Sequence, residues 1–268
     1  MEQLTVNGQP IGYETIGKGR PVLLLHGFCE DRSVWDEFLE PLEDEDHQFI
    51  LADLPGFGDS PLLENASIDQ MAAIFWGFLD KLGHKEVVLL GHSMGGYVSL
   101  AMAEQQPERV NGLILFHSHA LADSADKKAG REKGIEFINR NGHQLYVKQL
   151  LGDLFYPLYL SSHRYILDRL IYKGSNFAPE GIINALEAMR DRPDRTDVLK
   201  TIPCPVQFII GAEETVIPTE VSMEQTHLPA ISSIDILPKC NHMGMFEAAK
   251  QSRKILKRFL EFINQPTT

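Results

Sequence analysis

Six short runs rich in apolar and β-branched residues, at 22–25, 48–52, 86–90, 112–116, 205–210 and 233–237, constrain this chain more than any other feature. Most are continuous rather than alternating, which is the pattern of strands covered on both faces and therefore of a mostly parallel sheet. Parallel neighbours need long crossovers, and helical periodicity fills several of the intervals. Over 69–82, Met71, Phe75, Phe78, Leu79 and Leu82 fall on one face, and Ser67 with Gln70 has the spacing of a capping box. Over 245–263, Ala249, Ser252, Leu256, Phe259, Leu260 and Ile263 form a second stripe. The stretches 4–6 and 11–16, divided by Asn7-Gly8, read as an antiparallel hairpin placed before the main sheet.

The strand–helix rhythm stops between Phe116 and Pro203. Helical patterns at 126–141, 143–154, 161–173 and 179–190, punctuated by Gly142, Pro157, Gly174 and Pro193, take its place. The chain of 268 residues therefore reads as an α/β core, 1–118 and 201–268, with a helical cap over 119–200 inserted after the sixth strand. A net charge of -12 argues against nucleic-acid or anionic-membrane partners, both of which need basic patches. The acidic cluster at 43–46 reads as a solvated loop. No secretory signal and no apolar run of membrane-spanning length is visible, and three cysteines without metal-type spacing fit free thiols, so a cytoplasmic location is expected.

The chemistry starts at Gly91-His92-Ser93-Met94-Gly95-Gly96, between the run at 86–90 and a helical stretch at 97–106. A serine flanked by glycines at a strand-to-helix turn projects its hydroxyl from the sheet edge, where a helix N-terminus offers free N–H groups. Ser93 is the candidate nucleophile; the plain alternative is a helix N-cap.

A serine nucleophile needs a base, a carboxylate behind that base, and oxyanion donors. Of the ten histidines, His242 combines a late position with a loop directly after the last expected strand, and is the candidate base. The stretch 210–218 follows the preceding strand and offers Glu213 and Glu214 as the acid. Oxyanion donors would be the backbone N–H groups of Phe28, in the loop after 22–25, and of Met94. His26 reads as a turn residue bonded to nearby backbone, and Asp53 and Asp59 as structural carboxylates of a Pro/Gly-rich turn.

Several of these segments, taken in order, resemble the α/β-hydrolase family. His26-Gly27-Phe28 is similar to its oxyanion HG motif, 53–60 to its D-x-P-G-x-G-x-S loop, 91–95 to its nucleophile elbow and His242 to its late histidine. The segment 211–218 resembles its G-x-x-D-x-x-x-P acid motif, which puts Glu214 where the family usually has aspartate. That match favours Glu214, with Glu213 in reserve and Asp123, after the 112–116 strand, third. The resemblance implies an α/β-hydrolase fold and a serine hydrolase of carboxylic esters, acting through an acyl-enzyme with no metal or cofactor, and the apolar and aromatic stretch 154–160 with Met189 points to small, apolar esters. A serine at the elbow disfavours the dehalogenases and epoxide hydrolases of this fold, which use aspartate there. C–C bond hydrolysis, cofactor-free perhydrolysis, and a slow-turnover ligand sensor remain as alternatives. Phe28, Phe155, Tyr156, Met189 and Met243 are the candidate pocket residues for the small-molecule substrate.

Overall fold

Eight strands form one sheet in the order β1-β2-β4-β3-β5-β6-β7-β8, comprising β1 (Glu2–Val6), β2 (Gln9–Gly17), β3 (Arg20–Leu25), β4 (His47–Ala52), β5 (Val87–His92), β6 (Val110–Phe116), β7 (Val206–Gly211) and β8 (Ser232–Leu237). The computed structural model describes residues 2–42 and 46–265, so most of the expected acidic loop at 43–46 lies outside the described residues. β1 pairs antiparallel with β2, and β2 with β4; every other pairing is parallel. The continuous apolar runs at the centre are fully covered: Val22 to Leu25, Leu89, Leu90 and Leu113 to Phe116 are all at 0% exposure.

The helices are α1 (Asp36–Leu39), α2 (Ile68–Leu82), α3 (Met94–Gln105), α4 (Ala125–Asn141), α5 (His143–Asp153), α6 (Pro157–Gly174), α7 (Pro179–Asp191), α8 (Thr196–Thr201), α9 (Thr219–Met223), α10 (Gly244–Glu247) and α11 (Ala249–Ile263). α2 packs on α3 and α1 on α11, and the consecutive buried residues of β3 and β5 show that both faces of the sheet are covered. α2 carries the expected capping box, Ser67 Oγ accepting from Gln70 N–H and the Gln70 side chain accepting from Ser67 N–H, a device worth about 1 kcal/mol. The segment after β6, where a cap is expected, contains α4, α5, α6 and α7, with α4 against α7 and α5 against both α4 and α6.

The helices differ from the periodicity in several places. α6 begins at Pro157, which the sequence pattern treats as punctuation, because proline suits the first helical position. Non-helical angles at His163 then kink that helix. The expected helix over 245–263 is interrupted at Ala248 (φ −131°, ψ 34°), separating α10 from α11. α8, which the sequence pattern does not single out, packs against α3 of the core.

β3 has β4 on one side and β5 on the other, so the chain turns in opposite directions from neighbouring strand ends. In open α/β sheets a crevice opens at such a reversal, outside the carboxyl ends of the strands. Leu25 and Gly91 are register partners there, which sets the 26–30 loop beside the turn that carries Ser93.

Candidate active site

The turn between β5 and α3 holds Ser93 at φ 48°, ψ −113°, a conformation that a non-glycine residue keeps only when its surroundings enforce it. The neighbours do enforce it. A Cβ on Gly91 would lie 2.4 Å from backbone of Gly95, and one on Gly95 would lie 2.3 Å from the Leu25 carbonyl oxygen, so strand and helix approach as only glycine permits. Ser93 N–H donates to Phe116 O (3.0 Å), and Ser118 Oγ donates to Ser93 O (2.8 Å). Ser93 is partly exposed, while Met94 beside it is buried.

His242 follows β8 and is 1% exposed. Its Nδ1 lies 2.7 Å from Glu214 Oε1, and its own N–H donates to Leu154 O (2.9 Å) at the end of α5. Glu214 follows β7 with a side chain 1% exposed, whereas Glu213 is exposed. Burial alone would raise the Glu214 carboxyl, but the charge and hydrogen bonds of His242 and His117 hold it well below the usual carboxylate range. Asp123 is committed elsewhere: its carboxylate sits between the guanidinium groups of Arg131 and Arg192. The third group on Glu214 is one that sequence reasoning missed. His117 Nδ1 lies 2.9 Å from Glu214 Oε2.

Met94 is the first residue of α3, where a helical N–H has no intrahelical acceptor, and Phe28 N–H donates to no backbone carbonyl among the described loops. The loop carrying Phe28 is braced by Glu30, whose buried carboxylate accepts from Gly27 N–H (2.8 Å) and faces His92 Nδ1 (3.1 Å). His92 Nε2 in turn lies 2.8 Å from His242 O, so one buried pair ties the 26–30 loop, the turn that carries Ser93 and the loop that carries His242 together. His26 is held by Gly27 O at Nδ1 and Leu54 N–H at Nε2, leaving no ring nitrogen free for base chemistry. Asp53 accepts from the N–H groups of Arg32 and Asp59 and pairs with the Arg32 guanidinium, which Asp59 also engages.

A cavity of about 80 Å³ lies between core and cap, lined by Ser93, His242, Phe28, Glu30, Tyr97 and Val216 with Arg131, Leu150, Leu154 and Met189 of the cap. Of the expected pocket residues, Phe28 and Met189 reach it; Phe155, Tyr156 and Met243 do not. Phe155 packs against Phe246 and Tyr159, Tyr156 N–H donates to Glu247, and Met243 is fully buried with its N–H on the same Glu247 carboxylate. The 153–156 stretch therefore clamps the cap to the loop bearing His242 instead of walling the cavity.

The three cysteines are buried free thiols, and burial pushes each of them up, Cys204 to about 12, so none is a thiolate near neutral pH. One cluster among the described residues has metal-ligand character: ligand atoms of His117, Glu214 and His242 lie within 4.8 Å of one another. In it both histidine Nδ1 atoms already face the carboxylate, so a cation would have to displace two hydrogen bonds.

Burial pushes His117 down to about 4, and burial with the nearby Arg192 takes His119 to about 3. An unfolded histidine titrates near 6.5. Below that pH the unfolded chain takes up these protons first, so stability present above about 6.5 is lost as pH falls towards 4. His92 gives no offset in that window. Burial would lower it, but the Glu30 carboxylate raises it above the unfolded value, so its contribution is complete below about 6.5. The expected loss is on the order of 3 kcal/mol for His117 alone. Urea midpoints at successive pH values from 7 to 4 read it directly, and a constant midpoint would contradict the neutral, buried state of both rings.

Comparison with known proteins agrees with this architecture. A dihydrolipoyllysine-residue acetyltransferase component of an acetoin cleaving system from Pseudomonas putida is 30% identical over 251 residues, covering 90% of this chain, which spans 64% of that relative's length. A 2-hydroxy-6-oxononadienedioate/2-hydroxy-6-oxononatrienedioate hydrolase from Pseudomonas sp is 24% identical over 95% of this chain and 93% of its own. A thermophilic esterase from Thermogutta terrifontis, solved with malate bound, superposes with a TM-score of 0.93 at 28% identity, over 99% of this chain and 100% of that one. Among the described residues no helix is long and apolar enough to cross a membrane. The sequence model of the alpha/beta hydrolase fold family matches residues 20–249, and the chain belongs to that family.

Proposed function

We propose that this protein is a serine hydrolase that cleaves small, largely apolar carboxylic esters through an acyl-enzyme. Ser93 is the nucleophile, His242 the base, Glu214 the acid that orients the base, and the N–H groups of Phe28 and Met94 the oxyanion donors. The observation that carries this reading is the buried 2.7 Å contact between His242 Nδ1 and Glu214 Oε1, behind a cavity that Ser93 and His242 line together. With Nδ1–H donated to the carboxylate, Nε2 of His242 is left as a proton acceptor.

In the first half-reaction His242 Nε2 takes the Ser93 proton as Oγ bonds to the ester carbonyl carbon. The oxyanion forms against two N–H groups that are fixed beforehand, each such donor being worth about 3 kcal/mol. Glu214 stabilises the imidazolium, which returns its proton to the departing alcohol. Water then repeats the cycle, with His242 as base, and frees the acid. Leu150, Leu154, Met189 and Val216 make much of the cavity wall apolar, and its volume of about 80 Å³ suits a short acyl group. Three buried thiols fit a reducing, cytoplasmic setting.

Hydrolysis of a C–C bond on the same groups is the second reading. It is favoured by Arg131, which lines the cavity while its guanidinium pairs with Asp123 and whose positive charge would suit a substrate carboxylate, and by the similarity to a hydrolase named for a dioate. A panel of p-nitrophenyl acetate, butyrate and octanoate, a lactone and a vinylogous diketone acid separates the two. Multiple turnover is expected, fastest on the short esters. Preference for the diketone acid would move the assignment to C–C cleavage, and a single stoichiometric burst would move it to ligand sensing.

A further inference from the structure

Four consecutive strands end at one edge of the sheet, and a residue of the site follows each: Ser93 after β5, His117 after β6, Glu214 after β7 and His242 after β8. Three of these have chemical roles in the reaction above. His117 has none, yet it is fully buried and on the same carboxylate as the base. We propose that His117 is a positioning residue: it holds the second carboxylate oxygen of Glu214 so that the first stays on His242, an inference that rests on the Ser93, His242 and Glu214 assignment above.

The geometry supplies each part. His117 Nδ1 meets Glu214 Oε2 at 2.9 Å while His242 Nδ1 meets Oε1 at 2.7 Å, so the two imidazoles take one oxygen each. Gly244 N–H donates to His117 Nε2 (3.1 Å), which leaves the proton on Nδ1, facing Glu214. The approach is close: a Cβ on Gly244 would lie 2.5 Å from that Nε2. The ring is stacked on Phe116 at 5.0 Å and 22°, which fixes its plane. Burial keeps the imidazole neutral, at about 4, so it remains a donor to Glu214 and an acceptor from Gly244 across the physiological range.

The device answers a need created by the sequence. Glutamate stands here where the family usually has aspartate, and its extra methylene adds a rotatable bond that must be frozen for the carboxylate to face His242. The backbone donors near Oε1, Val216 N–H at 3.3 Å and Ile217 N–H at 3.5 Å, are long and act on the oxygen already used by His242. A donor on the other oxygen stops the carboxylate from rotating away.

Asparagine and glutamine at position 117 separate this role from simple support of the Gly244 turn. Asparagine can place an N–H near the position of Nδ1 and accepts the left-handed backbone found there (φ 47°). Glutamine reaches toward Gly244 and gives up the donor to Glu214. With p-nitrophenyl acetate, His117→Asn is expected to keep kcat within about threefold, and His117→Gln to lower it by about 10- to 100-fold at unchanged KM. In a Glu214→Ala background His117→Gln should lower kcat no further. Equal losses for both variants, or the same loss without Glu214, would overturn the proposal. Imidazole ¹⁵N shifts of the wild-type protein at pH 7 test it without substrate: His117 must be the neutral Nδ1–H tautomer, and an Nε2–H or doubly protonated ring would overturn it. Absence of ester turnover in the wild type would instead count against the hydrolase reading and leave the ¹⁵N result standing.

Discussion

Replacing Ser93 with alanine is expected to lower kcat/KM for ester hydrolysis by a factor of about 10⁴ or more, a loss of about 5 kcal/mol of transition-state stabilisation. The loss falls on kcat because the substrate is held by cavity walls and N–H groups that the substitution leaves in place. No neighbouring group can take over the attack: Ser118 is buried with its hydroxyl committed to Ser93 O, and the Cys29 and Cys240 thiols are buried and held protonated. The fold should survive. Ser93 makes no side-chain cap to α3, and alanine meets the same strain at φ 48° as serine does. Stopped-flow hydrolysis of p-nitrophenyl acetate, with intact-mass detection of a fluorophosphonate adduct, reads both halves of the claim. The wild type gains one adduct at Ser93 and the variant gains none. Turnover retained in the variant would remove Ser93 from the mechanism.

The core was legible because its signals are local. Continuous apolar runs predict buried parallel strands, the Asn7-Gly8 turn predicts the β1–β2 hairpin, and Ser67 with Gln70 announces the start of α2, all from residues within a few positions of each other. The elbow is legible for the same reason, since glycine spacing records how closely β5 and α3 must approach. His117 is a different case. Its partner lies 97 residues away, and no local motif marks it. The signal that could have found it is topological: it directly follows the run at 112–116, and so stands in the row of strand ends that delivers Ser93, Glu214 and His242. Phe155 and Tyr156, expected in the pocket, miss it because sequence says which residues are apolar or aromatic but not which neighbour they meet. Phe155 and Tyr156 meet the 241–247 segment, through Phe246 and Glu247, and the cavity is left to Leu150, Leu154 and Met189.

Glu214→Gln is expected to lower kcat by about 10³- to 10⁴-fold, although it changes neither the length nor the shape of the side chain. Two imidazole N–H groups converge on this carboxylate, one per oxygen. A glutamine offers one oxygen and one NH₂, so whichever way the amide turns, one histidine faces a donor with a donor. If that histidine is His242, its proton must move to Nε2, the atom that in the proposed mechanism receives the Ser93 proton. If it is His117, the conflict shifts to a ring already fixed by Gly244 N–H, and His242 still loses the negative charge that stabilises its imidazolium. Glu213→Gln, on an exposed side chain, should leave kcat within about twofold. Glu214→Asp should fall between them, because the shorter arm reaches His242 or His117 but not both. Measured with p-nitrophenyl acetate at pH 7.5, nearly full activity in Glu214→Gln would remove this carboxylate from the reaction and leave the base to be oriented by the backbone around His242 alone.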